Sequence, residues 1–139
     1  MNDRFFLDTN IFVYSFDKSA PKKAVRSSEL IQRAIETGQG IVSYQVVQEF
    51  FNLALRRFAQ PMSIDDAEQY LSTVFRPLVA VHSSISLYAE ALRIQAKNKL
   101  AWYDSLIIAS AVAGECRILY SEDFQHGQRF GELRIENPF

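Results

Sequence analysis

Short apolar runs alternate with longer helical stretches along this chain, and that alternation constrains the fold more than any other feature. The runs at residues 4–8, 41–43, 78–81 and 117–120 predict buried strands, and "LRIE" at 133–136 is a candidate for a last strand. Segments with helical periodicity fill the intervals between them. Strands that alternate with helices are typical of a mainly parallel central sheet flanked by helices, so we predict a single domain of the α/β class.

The helical stretches differ in how much of their surface is apolar. Residues 20–40 repeat apolar side chains along one face, whereas "YDSLIIASAVAGE" at 103–115 is apolar nearly all round and is predicted to be covered on most sides. The stretch "YQVVQEFFNLALRRFA" predicts a second long helix. Ser63 and Asp66 have the spacing of a capping box that starts another helix, and Pro77 marks its end.

Composition excludes several classes of protein. The 139 residues suit one domain, and 48% hydrophobic with 22% charged residues is ordinary for a soluble globular protein. Cys116 is the only cysteine, which excludes an internal disulfide and a thiolate zinc cage. The sequence shows neither a secretory signal nor a long uncharged apolar window, so we expect a cytoplasmic protein without membrane association. A net charge of −1 argues against a protein that coats nucleic acid electrostatically.

Four acidic residues stand where a parallel sheet would bring them together. Asp8 and Asp123 follow two predicted strands, at the carboxyl ends where open α/β sheets bind ligands. Asp104 opens the apolar helix, and Glu49 lies within the second long helix. Each has an ordinary structural explanation as well: a cap for Asp8, a helix-dipole partner for Asp104, a turn former for Asp123 and a solvated polar face for Glu49.

Taken together, the order and context of these acids resemble a known pattern. A strand-end "LDTN", an acid inside the second long helix, a "YDSLIIASA" helix start and a strand-end "SEDF" are similar to those of the PIN-domain nucleases. In size and layout the chain resembles the VapC-like toxins of type II toxin–antitoxin pairs. The resemblance runs over nearly the whole chain and implies one PIN-like nuclease domain over residues 1–139.

The resemblance implies that four acids hold divalent metal and carry the catalysis. Asp8 and Asp104 correspond to the principal metal ligands, Asp123 to a second-site or water-mediated ligand, and Glu49 to a ligand or water positioner. One or two ions are compatible with this set. Carboxylates without His or Cys suit a hard cation, so the expected cofactor is Mg²⁺ or Mn²⁺.

Polar neighbours of these acids are expected to support the site. Thr9 or Asn10 matches the hydroxyl or amide that follows the first acid of the family, and Ser121 matches its polar residue after the fourth strand. The spacing from Ser121 favours Asp123 over the adjacent Glu122 as the fourth acid. Glu122 is then expected to face solvent or to support the metal through water.

The function implied by the resemblance is that of a metal-dependent endoribonuclease. Its substrate would be RNA, and as a toxin it would be neutralised by a cognate antitoxin protein. A bound metal can lower the pKa of a water molecule, orient that water at a scissile phosphate and neutralise charge on the leaving oxygen. A homodimer is expected from the family resemblance and from the exposed aromatic and aliphatic surface that 11 Phe and 6 Tyr imply for a small domain.

Other functions remain open at this stage. One alternative is a catalytically silent PIN-like module that binds RNA or protein. A phosphatase with Asp8 as nucleophile is weaker, because that pattern needs a second Asp where this chain has Asn10. Trp102 and Tyr103 could stack an RNA base, although core packing or a dimer contact is the simpler explanation for both.

Overall fold

Six strands from the described part of the chain, residues 3–139 of this computed structural model, form one sheet. Their spatial order is β3-β2-β1-β4-β6-β5, and all neighbours are parallel except β5 and β6. The predicted α/β class and the five predicted strands are confirmed. Strand β5 was not predicted, because it is only two residues long and contains no apolar run. The bounds are β1 Phe5–Leu7, β2 Gly40–Ser43, β3 Val79–Val81, β4 Ile118–Tyr120, β5 Arg129–Phe130 and β6 Leu133–Glu136.

Helices flank the central sheet, as predicted. Ser63 caps the fourth of them as predicted, because its Oγ accepts a hydrogen bond from the Asp66 N–H at 3.1 Å. None of the helices in residues 3–139 combines the length and apolar character of a membrane span. The helices are α1 Thr9–Tyr14, α2 Pro21–Thr37, α3 Tyr44–Ala54, α4 Ile64–Tyr70, α5 Arg76–Leu78, α6 Ile85–Asn98 and α7 Trp102–Ala113, with a π-helical turn at Leu71–Phe75 between α4 and α5.

Burial explains the two kinds of helix. In α7 every residue from Ser105 to Ala111 is buried, because α6 packs along one side and strands β2 and β4 lie on the other. Helix α2 buries only Leu30, Ile31 and neighbours on one face. At the start of β2, a Cβ on Gly40 would collide with the Ala34 side chain, so only glycine permits this close approach of helix and strand.

Most phenylalanine side chains lie inside the protein, which corrects the expectation that this residue type supplies exposed surface. Phe12, Phe50 and Phe75 are fully buried, and their ring centroids lie 5.0 to 6.5 Å apart. Edge-to-face and tilted packing of this kind adds to the energy of burial. The exposed aromatic surface comes instead from a few scattered residues: Phe16, Tyr44, Tyr88, Tyr103 and Phe139.

The order of the strands creates a crevice at one edge of the sheet. The chain builds β2 and β3 on one side of β1 and then returns to place β4 on the other side. Connections therefore leave the carboxyl ends of β1 and β4 toward opposite faces, which opens a ligand-binding crevice between them. The Asp8 N–H donates to the Tyr120 carbonyl at 3.1 Å and extends the ladder to this edge.

Candidate functional site

A cavity of about 450 Å³ opens at this edge among α1, α3 and α7. All four acids singled out in the sequence line it, although they come from a strand end, two helices and a loop. Of the supporting residues, Thr9 and Asn10 line the cavity, and Ser121 is buried outside its lining, where it donates a hydrogen bond to Asp8. The lining residues are Asp8, Thr9, Asn10, Val13, Tyr14, Glu49, Asn52, Leu53, Tyr103, Asp104, Ile107 and Asp123.

Asp8 lies at the back of the cavity, directly after β1. It is the N-cap of α1, where one carboxylate oxygen accepts a hydrogen bond from the Thr9 N–H at 2.7 Å. The other oxygen accepts from Ser121 Oγ, also at 2.7 Å. The capping explanation for Asp8 is therefore correct, and it does not compete with a place in the cavity.

Burial dominates the electrostatics of Asp8. Loss of hydration raises the pKa of its carboxyl to about 7 from the ordinary value of 3.8, and the hydrogen bonds from Ser121 and Thr9 offset part of that rise. The charges of Asp123 and Glu49 raise the pKa further. A buried acid among other acids is electrostatically costly unless a proton or a cation accompanies it.

The helical periodicity of α3 alone places Glu49 on a solvated face. In the structure, its side chain lines the cavity instead. Its Oε1 accepts a hydrogen bond from Thr9 Oγ1 at 2.7 Å, and Gln45 Nε2 lies 3.4 Å from its Oε2. The Gln45 amide also donates to the Tyr103 carbonyl at 3.1 Å. Sequence reasoning missed Gln45; the available signal was its position one helical turn before Glu49.

Asp104 and Asp123 form the open side of the site. Asp104 stands in the first turn of α7, and partial burial together with the charge of Asp123 raises its pKa. Asp123 follows β4, and its N–H donates to Ser121 Oγ at 3.1 Å. Because the same Oγ donates to Asp8, Ser121 couples the loop of Asp123 to the end of β1.

Glu122 does not line the cavity, and its carboxylate does not simply face solvent. It pairs with Lys23 of α2 at 2.7 Å and accepts a hydrogen bond from the Tyr14 hydroxyl at 2.8 Å. The Lys23 ammonium holds the pKa of Glu122 below its usual range. Lys23 and Tyr14 thus anchor the loop that carries Asp123. These contacts join residues about a hundred positions apart, and no local sequence pattern predicts them.

The donor set suits a hydrated hard cation. No group of three or more His, Cys, Asp or Glu side chains within residues 3–139 is arranged to enclose a metal ion. Mg²⁺, however, is usually bound through one or two carboxylates and keeps several of its waters, so such an enclosure is not required. Both amide atoms of Asn10 are buried in this cavity without a hydrogen-bond partner, which fits a site completed by a ligand.

Solved structures share this fold at low sequence identity. A chain of a toxin–antitoxin complex from Klebsiella pneumoniae gives a TM-score of 0.66 and 16% identity, covering 96% of this chain and 97% of that chain. A sarcin-ricin-loop-cleaving VapC toxin of Mycobacterium tuberculosis gives 0.61 and 18%, covering 86% and 89%. DNA-bound VapBC from Salmonella typhimurium gives 0.64 and 18%, covering 99% of both chains. No curated relative matches the sequence.

The sequence itself matches a family model. The match is to the PIN domain and extends over residues 5–129, from the first residue of β1 to the first residue of β5. This range includes all four acids of the cavity and the three helices that form its walls. The chain belongs to the PIN domain family.

Proposed function

We propose that this protein is a metal-dependent endoribonuclease that hydrolyses RNA phosphodiester bonds in the cytoplasm, and that it acts as a toxin. The observation that carries the proposal is the meeting of four carboxylates from distant parts of the chain in one cavity. No Lys, Arg or His side chain from the described residues lines that cavity to neutralise them. Such a site repels a phosphate on its own and attracts it once a cation is bound.

Each acid has a distinct place in the proposed site. Asp8, at the start of α1, and Asp104, in the first turn of α7, would hold Mg²⁺ or Mn²⁺, with Asp123 as a second-site or water-mediated ligand. Glu49, steadied by Thr9, would hold or orient the attacking water. The bound ion would make that water more acidic and offset charge on the phosphate and the leaving oxygen. The Asn10 amide is buried without a hydrogen-bond partner, and it would donate to a phosphate oxygen if its side chain turned toward the ligand.

Similarity to known toxins supports RNA as the substrate class. The Mycobacterium tuberculosis neighbour is a toxin that cleaves the sarcin-ricin loop, and this chain shares its fold. An active site built only from oxygen donors is also suited to phosphodiester hydrolysis. The alternative, a silent PIN-like module that binds RNA or protein, would have no need for four uncompensated acids in one cavity.

Incubation of the purified protein with total RNA tests the proposal. We expect new RNA ends in Mg²⁺ or Mn²⁺ and none in EDTA, since the acids alone cannot position a phosphate. Mapping the ends by sequencing separates specific cutting from background degradation. RNA binding without cutting under all metal conditions would instead support the silent module.

An antitoxin partner is a separate prediction. Toxin–antitoxin complexes are among the solved structures with this fold, and the acidic cavity is suited to receive a basic side chain. We expect the small protein encoded beside this chain to bind it and to suppress RNA cutting. Replacing basic residues of that protein's tail with Gln should restore cutting. Failure of any such neighbour to bind or to suppress toxicity would refute the prediction.

We also expect a homodimer in solution, formed through the exposed apolar face of α6. Ile85 and Leu92 on that helix are 83% and 58% exposed, which is unusual for two aliphatic residues seven positions apart on one face. Leu92→Glu should convert the dimer to a monomer in light scattering. Val25→Glu is the matched control, because Val25 is 60% exposed on α2. A strict monomer at high micromolar concentration would contradict this prediction.

A further inference from the structure

The cavity has an apolar wall as well as an acidic one. Asp104 is followed one helical turn later by Ile107, and Glu49 by Leu53, and all four line the cavity. On α1, Val13 occupies the corresponding place beyond the cap. Each of the three helices therefore contributes an acidic or polar residue and, one helical turn later, an aliphatic residue to the lining.

This apolar wall has no use in holding a metal ion or a phosphate. Both are strongly hydrated and are recognised by charges and hydrogen bonds. With a cation bound to its acids, the cavity would therefore suit a ligand with an anionic part and a flat or apolar part, such as a nucleotide.

Tyr103 supplies the flat surface. It is 63% exposed although it lines the cavity, and it directly precedes Asp104. Its backbone is held in place because its carbonyl accepts a hydrogen bond from the buried Gln45 side chain. A tyrosine ring that is fixed at its backbone and open on its surface can stack a nucleobase at low entropic cost.

We propose that the apolar wall and Tyr103 form a subsite for one unpaired nucleobase of single-stranded RNA, next to the scissile phosphate. This inference rests on the proposed function, because it assumes that the acids and their metal bind the scissile phosphate. The chain connectivity of RNA then places a base within a few ångströms of the phosphate. Val13, Leu53 and Ile107 line the cavity together with Tyr103 and offer that base an apolar surface.

Binding measurements in a Glu49→Gln background test the subsite, because this substitution removes the carboxylate proposed to orient the attacking water and keeps Asp8 and Asp104 for the metal. The probes are single-stranded oligoadenylate and a ribose-phosphate oligomer of equal length without bases, both in Mg²⁺. We expect Tyr103→Ala to weaken oligoadenylate binding about 10-fold or more, and Tyr103→Phe to bind like the parent. The base-free oligomer should bind the parent and Tyr103→Ala equally. Tyr44→Ala should change nothing, because Tyr44 is 41% exposed and does not line the cavity.

Several results would overturn the subsite. One is an equal affinity of the parent and Tyr103→Ala for oligoadenylate. Another is a loss of affinity for the base-free oligomer in Tyr103→Ala that equals its loss for oligoadenylate. A third is the absence of RNA binding by the parent. Conversion of a dimer to a monomer by Tyr103→Ala, with oligoadenylate affinity unchanged, would assign Tyr103 to a contact between copies. If the wild-type protein cuts no RNA but binding still depends on the base and on Tyr103, the subsite is supported and the proposed hydrolytic function is refuted.

Discussion

Asp8→Asn and Asp104→Asn are each expected to reduce metal-dependent RNA cutting by about 100-fold or more. Replacing outer-shell partners of metal ligands typically costs 10- to 100-fold, and replacing a ligand itself should cost no less. Both substitutions keep the shape of the side chain and remove its charge. Asn at position 8 also keeps an acceptor for the Thr9 N–H, so the cap on α1 persists.

The measurement is the initial rate of RNA cutting in Mg²⁺ for the wild type and both variants, with thermal unfolding as a check on folding. Asp65→Asn is the matched control for Asp104→Asn, because Asp65 is also a first-turn acid but is exposed on α4. It should cut RNA at the wild-type rate. Cutting by both site variants at the wild-type rate would show that the activity lies elsewhere or in a contaminant.

Asp8 should make the stability of the metal-free protein strongly dependent on pH. Its folded-state pKa of about 7 lies above the value of 3.8 that is ordinary for the unfolded chain, so folding favours the protonated carboxyl. This contribution to stability is fully present below about pH 4 and is lost as pH rises through 7. The free energy of unfolding in EDTA should therefore fall between pH 4 and pH 8.

Asp8→Asn should remove this dependence and stabilise the metal-free protein at pH 8. Three pK units correspond to a ceiling of about 4 kcal/mol, and the weaker hydrogen bonds of a neutral side chain reduce the gain to about 2 kcal/mol. Asp104→Asn should act in the same direction, because burial and Asp123 raise the pKa of Asp104. Added Mg²⁺ or Mn²⁺ should raise the melting temperature of the wild type more than that of either variant.

Thermal unfolding of all three proteins, in EDTA from pH 4 to 8 and across a metal titration, measures both effects. The wild type serves as its own control at low pH, where its Asp8 is protonated and its stability should approach that of Asp8→Asn. If both variants melt lower than the wild type in EDTA at pH 8, and metal shifts all three equally, then the four acids do not form the proposed site.

The sequence alone determined the α/β class and five of the six strands in the described part of the chain, because strand and helix periodicities are local. An apolar run that ends at Asp8 predicts a strand end, and an all-apolar helix after Asp104 predicts a buried helix, whatever the rest of the chain does. The family pattern added Glu49 and Asp123. Periodicity by itself placed Glu49 on a solvated face. It shows which face of a helix is polar, but it does not show which other parts of the protein contact that face.

Only the tertiary structure decided which polar groups contact one another. The hydrogen bond from Thr9 to Glu49 joins residues 40 positions apart, and the one from Ser121 to Asp8 joins residues 113 positions apart. These pairs exist because β4 returns beside β1 after two other strands have been built, and no local pattern records that return. The same return brings Glu122 to Lys23, away from the cavity. The apolar wall beside the acids is likewise a product of three helices meeting, and it belongs to none of them alone.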